Sequence, residues 1–156
     1  MGIRASYLIH GGAGERDEID YNPEFSRRAR GFAVYAAIRN LGADGIAALV
    51  EGSCALARRF ADALAAEPDV EVLNEVVLNQ VLVRFRAPDG DHDARTRAVI
   101  DRLQREGTCW MSGTTWGGGA AMRISVTNWS TDEDDVDRSV AAILREVRAA
   151  SVASAS

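Results

Sequence analysis

Between Asp20 and Gly42 the chain reads DYNPEFSRRARGFAVYAAIRNLG, a proline-bearing lead-in that runs into a helix with an arginine-crowded first turn and an almost wholly apolar body. Pro23 pushes Asn22 out of the helical region, Ser26 is placed to cap the helix, and Gly42 is its stop. Arg27, Arg28 and Arg30 fall at the positive end of the helix dipole, which favours anions, so this turn calls for negative charge nearby. Phe32, Val34, Tyr35, Ala36, Ala37, Ile38 and Leu41 cover most of the circumference, whereas a helix on a small monomer needs one apolar stripe. This helix expects a second partner.

Length and composition narrow the rest. At 156 residues the chain has the size of one domain, and 47% hydrophobic with 26% charged residues is a globular composition. No apolar run approaches the roughly 20 residues of a membrane span, so solubility is expected. MGIRASYLIHGG lacks the apolar core and cleavage site of a secretory signal, and two cysteines make no disulfide framework, which together point to the cytoplasm. A net charge of −5 argues against a nucleic-acid footprint. All 18 basic residues are arginine. Without lysine no side chain can form a Schiff base with a carbonyl group.

Taken in order, residues 1–22 read as a mobile segment with Gly11, Gly12 and Gly14 as a hinge. HGGAG matches neither phosphate-loop nor dinucleotide spacing. A second helix follows from Asp44, carrying Ile46, Leu49, Val50, Ala57, Phe60 and Leu64 at spacings of three and four, and Pro68 ends it. Val70 to Leu73 and Val76 to Phe85 predict strands, the latter alternating Val81, Val83 and Phe85 with Leu82, Arg84 and Arg86. Asp91 to Gly107 predicts a helix with Val99, Ile100 and Leu103 inward and Arg95, Arg97, Arg102 and Arg105 on a solvated face. Thr108 to Ser112 predicts a short strand, Thr114 to Gly119 a loop, and Ala121 to Asn128 a strand with Met122, Ile124 and Val126 on one side and Arg123, Ser125 and Thr127 on the other. Ser130 with Glu133 fits a capping box for a last helix running to about Ala150, and residues 151–156 read as a tail. The fold class this predicts is α+β, a small antiparallel sheet covered by helices on one face.

Isolated chemistry is sparse. His10, His92, Cys54 and Cys109 fit no metal-ligand spacing, and the acidic run Asp132 to Asp135 lacks the calcium-loop pattern, so no metal is expected. The cysteines read as small buried hydrophobes. Trp110, Trp116 and Trp129 could stack on a ring, though such residues more often fill a core.

DYNPEFSRRARGFAVYAAIRNLG, VEVLNEVVLNQVLVRF, GTCWMSGTTW and AAMRISVTNWST, in this order, resemble the carboxy-terminal third of the pyridoxal phosphate-dependent group II amino acid decarboxylases of fold type I. That family includes aromatic-L-amino-acid, histidine, glutamate and tyrosine decarboxylases. The resemblance covers nearly the whole chain. It implies the family's small C-terminal domain over residues 23–150, with interface helices, preceded by the mobile catalytic loop. The family's lysine, the histidine stacked on the cofactor ring, the aspartate on the ring nitrogen and the phosphate-binding loop all precede the matched region.

Residue by residue, ASYLIH resembles the mobile loop and implies Tyr7 as proton donor. Phe25 and Ser26 match the pair that approaches the neighbouring subunit's active site, with Ser26 in place of the usual glycine. Arg123, in AMRISV, matches the arginine that meets the substrate carboxylate in glutamate decarboxylase-like members. The implied cofactor is pyridoxal phosphate in the complete enzyme, none of it held covalently by this chain. The implied partners are a second copy or a large cofactor-binding domain, together with an amino acid substrate. The reading is of a decarboxylase portion inactive alone; the alternative is a noncatalytic dimerisation module derived from such an enzyme.

Overall fold

The structure, a computed structural model, describes residues 28–153. Its elements run α1 (Arg30–Ala65), β1 (Val70–Val72), β2 (Gln80–Phe85), α2 (His92–Glu106), β3 (Ser112–Trp116), β4 (Gly119–Ser125) and α3 (Glu133–Ala153). The predicted start of the first helix at Ser26 lies outside the described residues.

Gly42 breaks α1. Its φ of 64° and ψ of −172° are not helical, and only glycine enters that region without a steric cost. The chain divides there into two units, Met1–Gly42 and Ala43–Ser156. In the first, the helix from Arg30 exposes Phe32 (78%), Val34, Tyr35, Ile38 and Leu41. By length and composition α1 as a whole could cross a membrane, with a mean hydropathy of 1.2 over its most apolar window, which the sequence reading did not anticipate. The break at Gly42 leaves an upstream piece shorter than the roughly 20 residues a span needs. The downstream piece carries Asp44, Glu51, Arg58, Arg59 and Asp62 and buries Ala57, Phe60 and Leu64 in a protein core.

In the second unit the four strands form one antiparallel sheet in the order β1-β2-β4-β3. Val81 pairs with Ile124 and Val83 with Met122, so these side chains share one face with Phe85 and Val126. That face meets Leu64 of α1, Val99 and Leu103 of α2, and Val136 and Ile143 of α3 in a continuous core. Asp91 caps α2 through its side chain, which accepts from the Ala94 N–H. The expected α+β architecture and the alternation in β2 and β4 are both present.

Four local expectations need correction. β2 begins at Gln80, not Val76, because the Asn74 side chain takes ladder partners for itself: its Oδ1 accepts from Leu82 N at 2.7 Å and its Nδ2 donates to Glu75 O at 3.0 Å. The predicted Thr108–Ser112 strand and Thr114–Gly119 loop are both displaced, since β3 begins only at Ser112 and the loop is largely strand. β3 and β4 run into a turn at Gly117 and Gly118, with φ of 56° and 85°, the pairing of positive φ values that a tight right-twisted hairpin favours. The cap of α3 is Asp132 with Asp135, not Ser130 with Glu133: Asp132 Oδ1 accepts from Asp135 N and Asp135 Oδ2 accepts from Asp132 N. Ser130 instead donates twice to Asn128 Oδ1, closing the turn after β4. Finally, Arg95 is not on a solvated face. It is 7% exposed and donates to Arg86 O, Asp69 Oδ2 and Val147 O, tying α2 to the sheet edge and α3.

Candidate functional site

α2, α3 and the part of α1 after Gly42 pack on one face of the sheet, so the other face is where polar side chains of the strands gather. Antiparallel register assigns its members. Leu82 of β2 and Ser112 of β3 both stand directly opposite Arg123 of β4, and Glu71 of β1 stands opposite Arg84 of β2. Ser125 and Thr114 fall on the same side by alternation. The face combines guanidinium groups and hydroxyls, a set that binds carboxylates and other oxyanions.

Arg123 is exposed on this face, as its alternation with buried Met122 and Ile124 predicts. Among the described residues it forms no ion pair. Tyr7, Phe25 and Ser26 lie outside the described residues, so they are not brought to it here. Arg84, which alternates with Val83 and Phe85, carries no functional signal of its own in the sequence. Its guanidinium lies over Gly119, where an added Cβ would stand 2.5 Å from Nη2 and 3.2 Å from Asp93 Oδ1. The VLVRFR alternation was the available signal, because it puts Arg84 and Arg123 on one face once β2 and β4 pair.

The remaining candidates resolve differently. Cys54 is buried and Cys109 half-buried, where desolvation pushes the Cys109 thiol up, away from the thiolate a nucleophile needs. The tryptophans do not fill the core: Trp110, Trp116 and Trp129 are all substantially exposed, Trp129 at 83%. Each lies on a loop or edge strand, which propensity alone does not reveal. Trp129 helps to line an apolar cavity of about 390 Å³ with Leu49, Val50, Cys54, Leu78 and Val126. Among the described residues no three His, Cys, Asp or Glu side chains gather as a metal site.

No family model matches the chain. Curated relatives do. Tyrosine decarboxylase 2 of Arabidopsis thaliana is 27% identical over 120 residues, 75% of this chain and 22% of the relative. 4-Hydroxyphenylacetaldehyde synthase of Rhodiola rosea is 24% identical, covering 83% of this chain and 27% of its own length. Among solved structures, Oryza sativa TDC with PLP and tryptamine superimposes with a TM-score of 0.75 at 22% identity, over 83% of this chain and 29% of that one. The chain therefore spans between a fifth and a third of the length of these proteins. What it is similar to, over most of its own length, is the C-terminal portion of the pyridoxal phosphate-dependent group II amino acid decarboxylases.

Proposed function

We propose that this chain is the C-terminal part of a pyridoxal phosphate-dependent amino acid decarboxylase, inactive alone and completed by a large domain that carries the lysine. The observation that carries this reading is the match of the α+β unit to only the C-terminal portion of such enzymes. The chain's own residues do not fit covalent attachment of the cofactor, because the sequence contains no lysine. When bound to the large domain, the cofactor would supply the electron sink for loss of carbon dioxide.

This chain would contribute the surrounding groups. Arg123 would hold the substrate carboxylate, since a guanidinium fork grips a carboxylate in bidentate fashion and this one has no partner among the described residues. Tyr7 would deliver a proton to the α-carbon as a general acid on a closing loop. Phe25 and Ser26 would approach the neighbouring subunit of a homodimer. The exposed apolar side chains from Phe32 to Leu41 would be covered by that subunit or by the large domain, and the complete enzyme would work in the cytoplasm, without nucleic acid or membrane.

A second reading, a noncatalytic dimerisation module, is favoured by that same exposed helix, which needs a partner but no chemistry. Mixing the chain with a lysine-bearing large domain and an amino acid substrate separates the two. Carbon dioxide release that requires this chain supports the enzyme; a stable complex that binds cofactor and never turns over supports the module.

A further inference from the structure

We propose that His92 is an acid-released latch: its neutral imidazole fastens the connection between β2 and α2 to the helix, and a second proton on the ring frees it.

β2 and β4 are paired as far as Val83 with Met122, and continuing that register sets Phe85 opposite Ala120. Two residues so placed in an antiparallel ladder would exchange N–H and C=O groups with each other. Here both N–H groups turn to side chains of α2 instead. Phe85 N donates to Thr96 Oγ1 at 3.1 Å, and Ala120 N donates to Asp93 Oδ1 at 2.9 Å. The first turns of α2 therefore take over the ladder where β2 and β4 part. Beyond Phe85 the pattern continues: Arg86 N donates to Asp69 O on the β1 side, Arg86 O accepts from Arg95 Nη1, and Ala87 N donates to His92 Nδ1 at 2.9 Å.

The three α2 acceptors answer acid differently. Thr96 offers a hydroxyl oxygen, fully buried with Phe85. Asp93 presents an acceptor oxygen whether or not its carboxyl carries a proton. A neutral imidazole has one donor and one acceptor nitrogen, and both become donors when it is charged. Because Nδ1 accepts from Ala87, the His92 proton sits on Nε2, and a second proton must go to Nδ1, where it meets the Ala87 N–H donor to donor. The ring is half-buried at the rim, within reach of solvent.

The charges of this corner do not offset the lost bond. Its carboxylates are already engaged: Asp89 accepts from Asp91 N, Asp91 from Ala94 N, and Asp93 from Ala120 N beside Arg97, while Glu71 pairs with Arg86 and Asp69 with Arg95. Arg84 stands beside Asp93 at Gly119, and α3 reaches this corner through the Val147 carbonyl. A charged ring therefore swings out to water. Residues 87–91 then lose their tie to α2, while Thr96 and Asp93 keep the helix on the sheet.

The test follows the backbone amides and imidazole nitrogens of the isotope-labelled full chain from about pH 8 to pH 5, the interval over which imidazoles charge. The sequence has two histidines, so a His10→Asn background leaves His92 as the one ring to titrate. At pH 8 that ring should carry its proton on Nε2. As it charges, the Ala87 amide should shift with the same midpoint, and its hydrogen exchange, corrected for the intrinsic effect of pH, should rise roughly tenfold. The Phe85 amide, held by Thr96, should stay protected throughout. His92→Asn, which takes up no proton, should remove the pH response, and His92→Leu should leave Ala87 exchanging fast at pH 8 already. A ring protonated on Nδ1 at pH 8, an Ala87 amide that does not follow the ring, the same pH response in His92→Asn, protection of Ala87 unchanged in His92→Leu, or loss of Phe85 protection along with that of Ala87 would each overturn the proposal.

Discussion

Arg59 meets Asp137 through two parallel hydrogen bonds, Nε to Oδ1 at 2.9 Å and Nη2 to Oδ2 at 2.8 Å, with Nη1 3.1 Å from Glu133. The pair joins the C-terminal half of α1 to the start of α3 across 78 positions of sequence. Its hydrogen bond to Arg59 holds the Asp137 carboxyl below its ordinary value. A carboxyl with a lowered folded-state value contributes stability above the unfolded value, near 4, and loses it as pH falls through the folded one. Asp137→Asn should therefore lower Tm at pH 7 and flatten its fall between about pH 4 and pH 2. Equal slopes for the two proteins would contradict the pairing.

Arg95 should matter more than a surface arginine. It lies in the core and serves Arg86 O, Asp69 and Val147 O. Arg95→Ala leaves those acceptors unsatisfied and should cost about 1–3 kcal/mol in urea denaturation. Arg97→Ala, on the exposed side of the same helix, should cost less than about 1 kcal/mol. Equal costs would mean that Arg95 is not a cross-link.

The hydrophobic centre is set by Leu64, Phe85, Leu103 and Ile143, all essentially without solvent exposure. Leu64→Ala should cost about 2–5 kcal/mol, because Leu64 is fully enclosed in the continuous core and its neighbours cannot collapse fully around the void. Loss of well under 1 kcal/mol would show that α1 after Gly42 does not belong to this core.

These elements also show what the sequence made legible. Period-two alternation in VLVRF and MRISV assigned both sheet faces correctly, because one face is buried and a one-residue slip would invert every side chain. Asp91 and Pro68 marked helix ends through local chemistry that needs no tertiary context. The hairpin failed for a definable reason: WGGG reads as loop by composition, whereas two glycines at positive φ are what a tight turn requires. Arg95 was misplaced because helical periodicity gives an angle, and only α3 packing beside α2 decides that this angle is buried. For the candidate site, Arg123's exposure followed from alternation. Arg84's position did not, since it depends on how β2 pairs with β4 and on the missing side chain at Gly119.

Arg123 should act on substrate and not on folding. Its side chain is exposed and opposite Leu82 and Ser112. Arg123→Met should leave Tm within about 1 °C while lowering kcat/KM in a reconstituted enzyme by roughly 10- to 100-fold, the loss expected for one charge-assisted carboxylate contact. Unchanged kinetics would remove the ligand role, and a large fall in Tm would make it structural.

The central claim is that this chain completes a decarboxylase. Its most direct test is to replace the matching C-terminal segment of Oryza sativa TDC, the region of the 0.75 TM-score superposition, with this chain and measure carbon dioxide released from a panel of amino acids. The account predicts a folded, cofactor-binding chimera that releases carbon dioxide from at least one of them, with turnover lowered when Tyr7 or Arg123 is replaced. A chimera that folds and binds cofactor but releases none from any amino acid would contradict it.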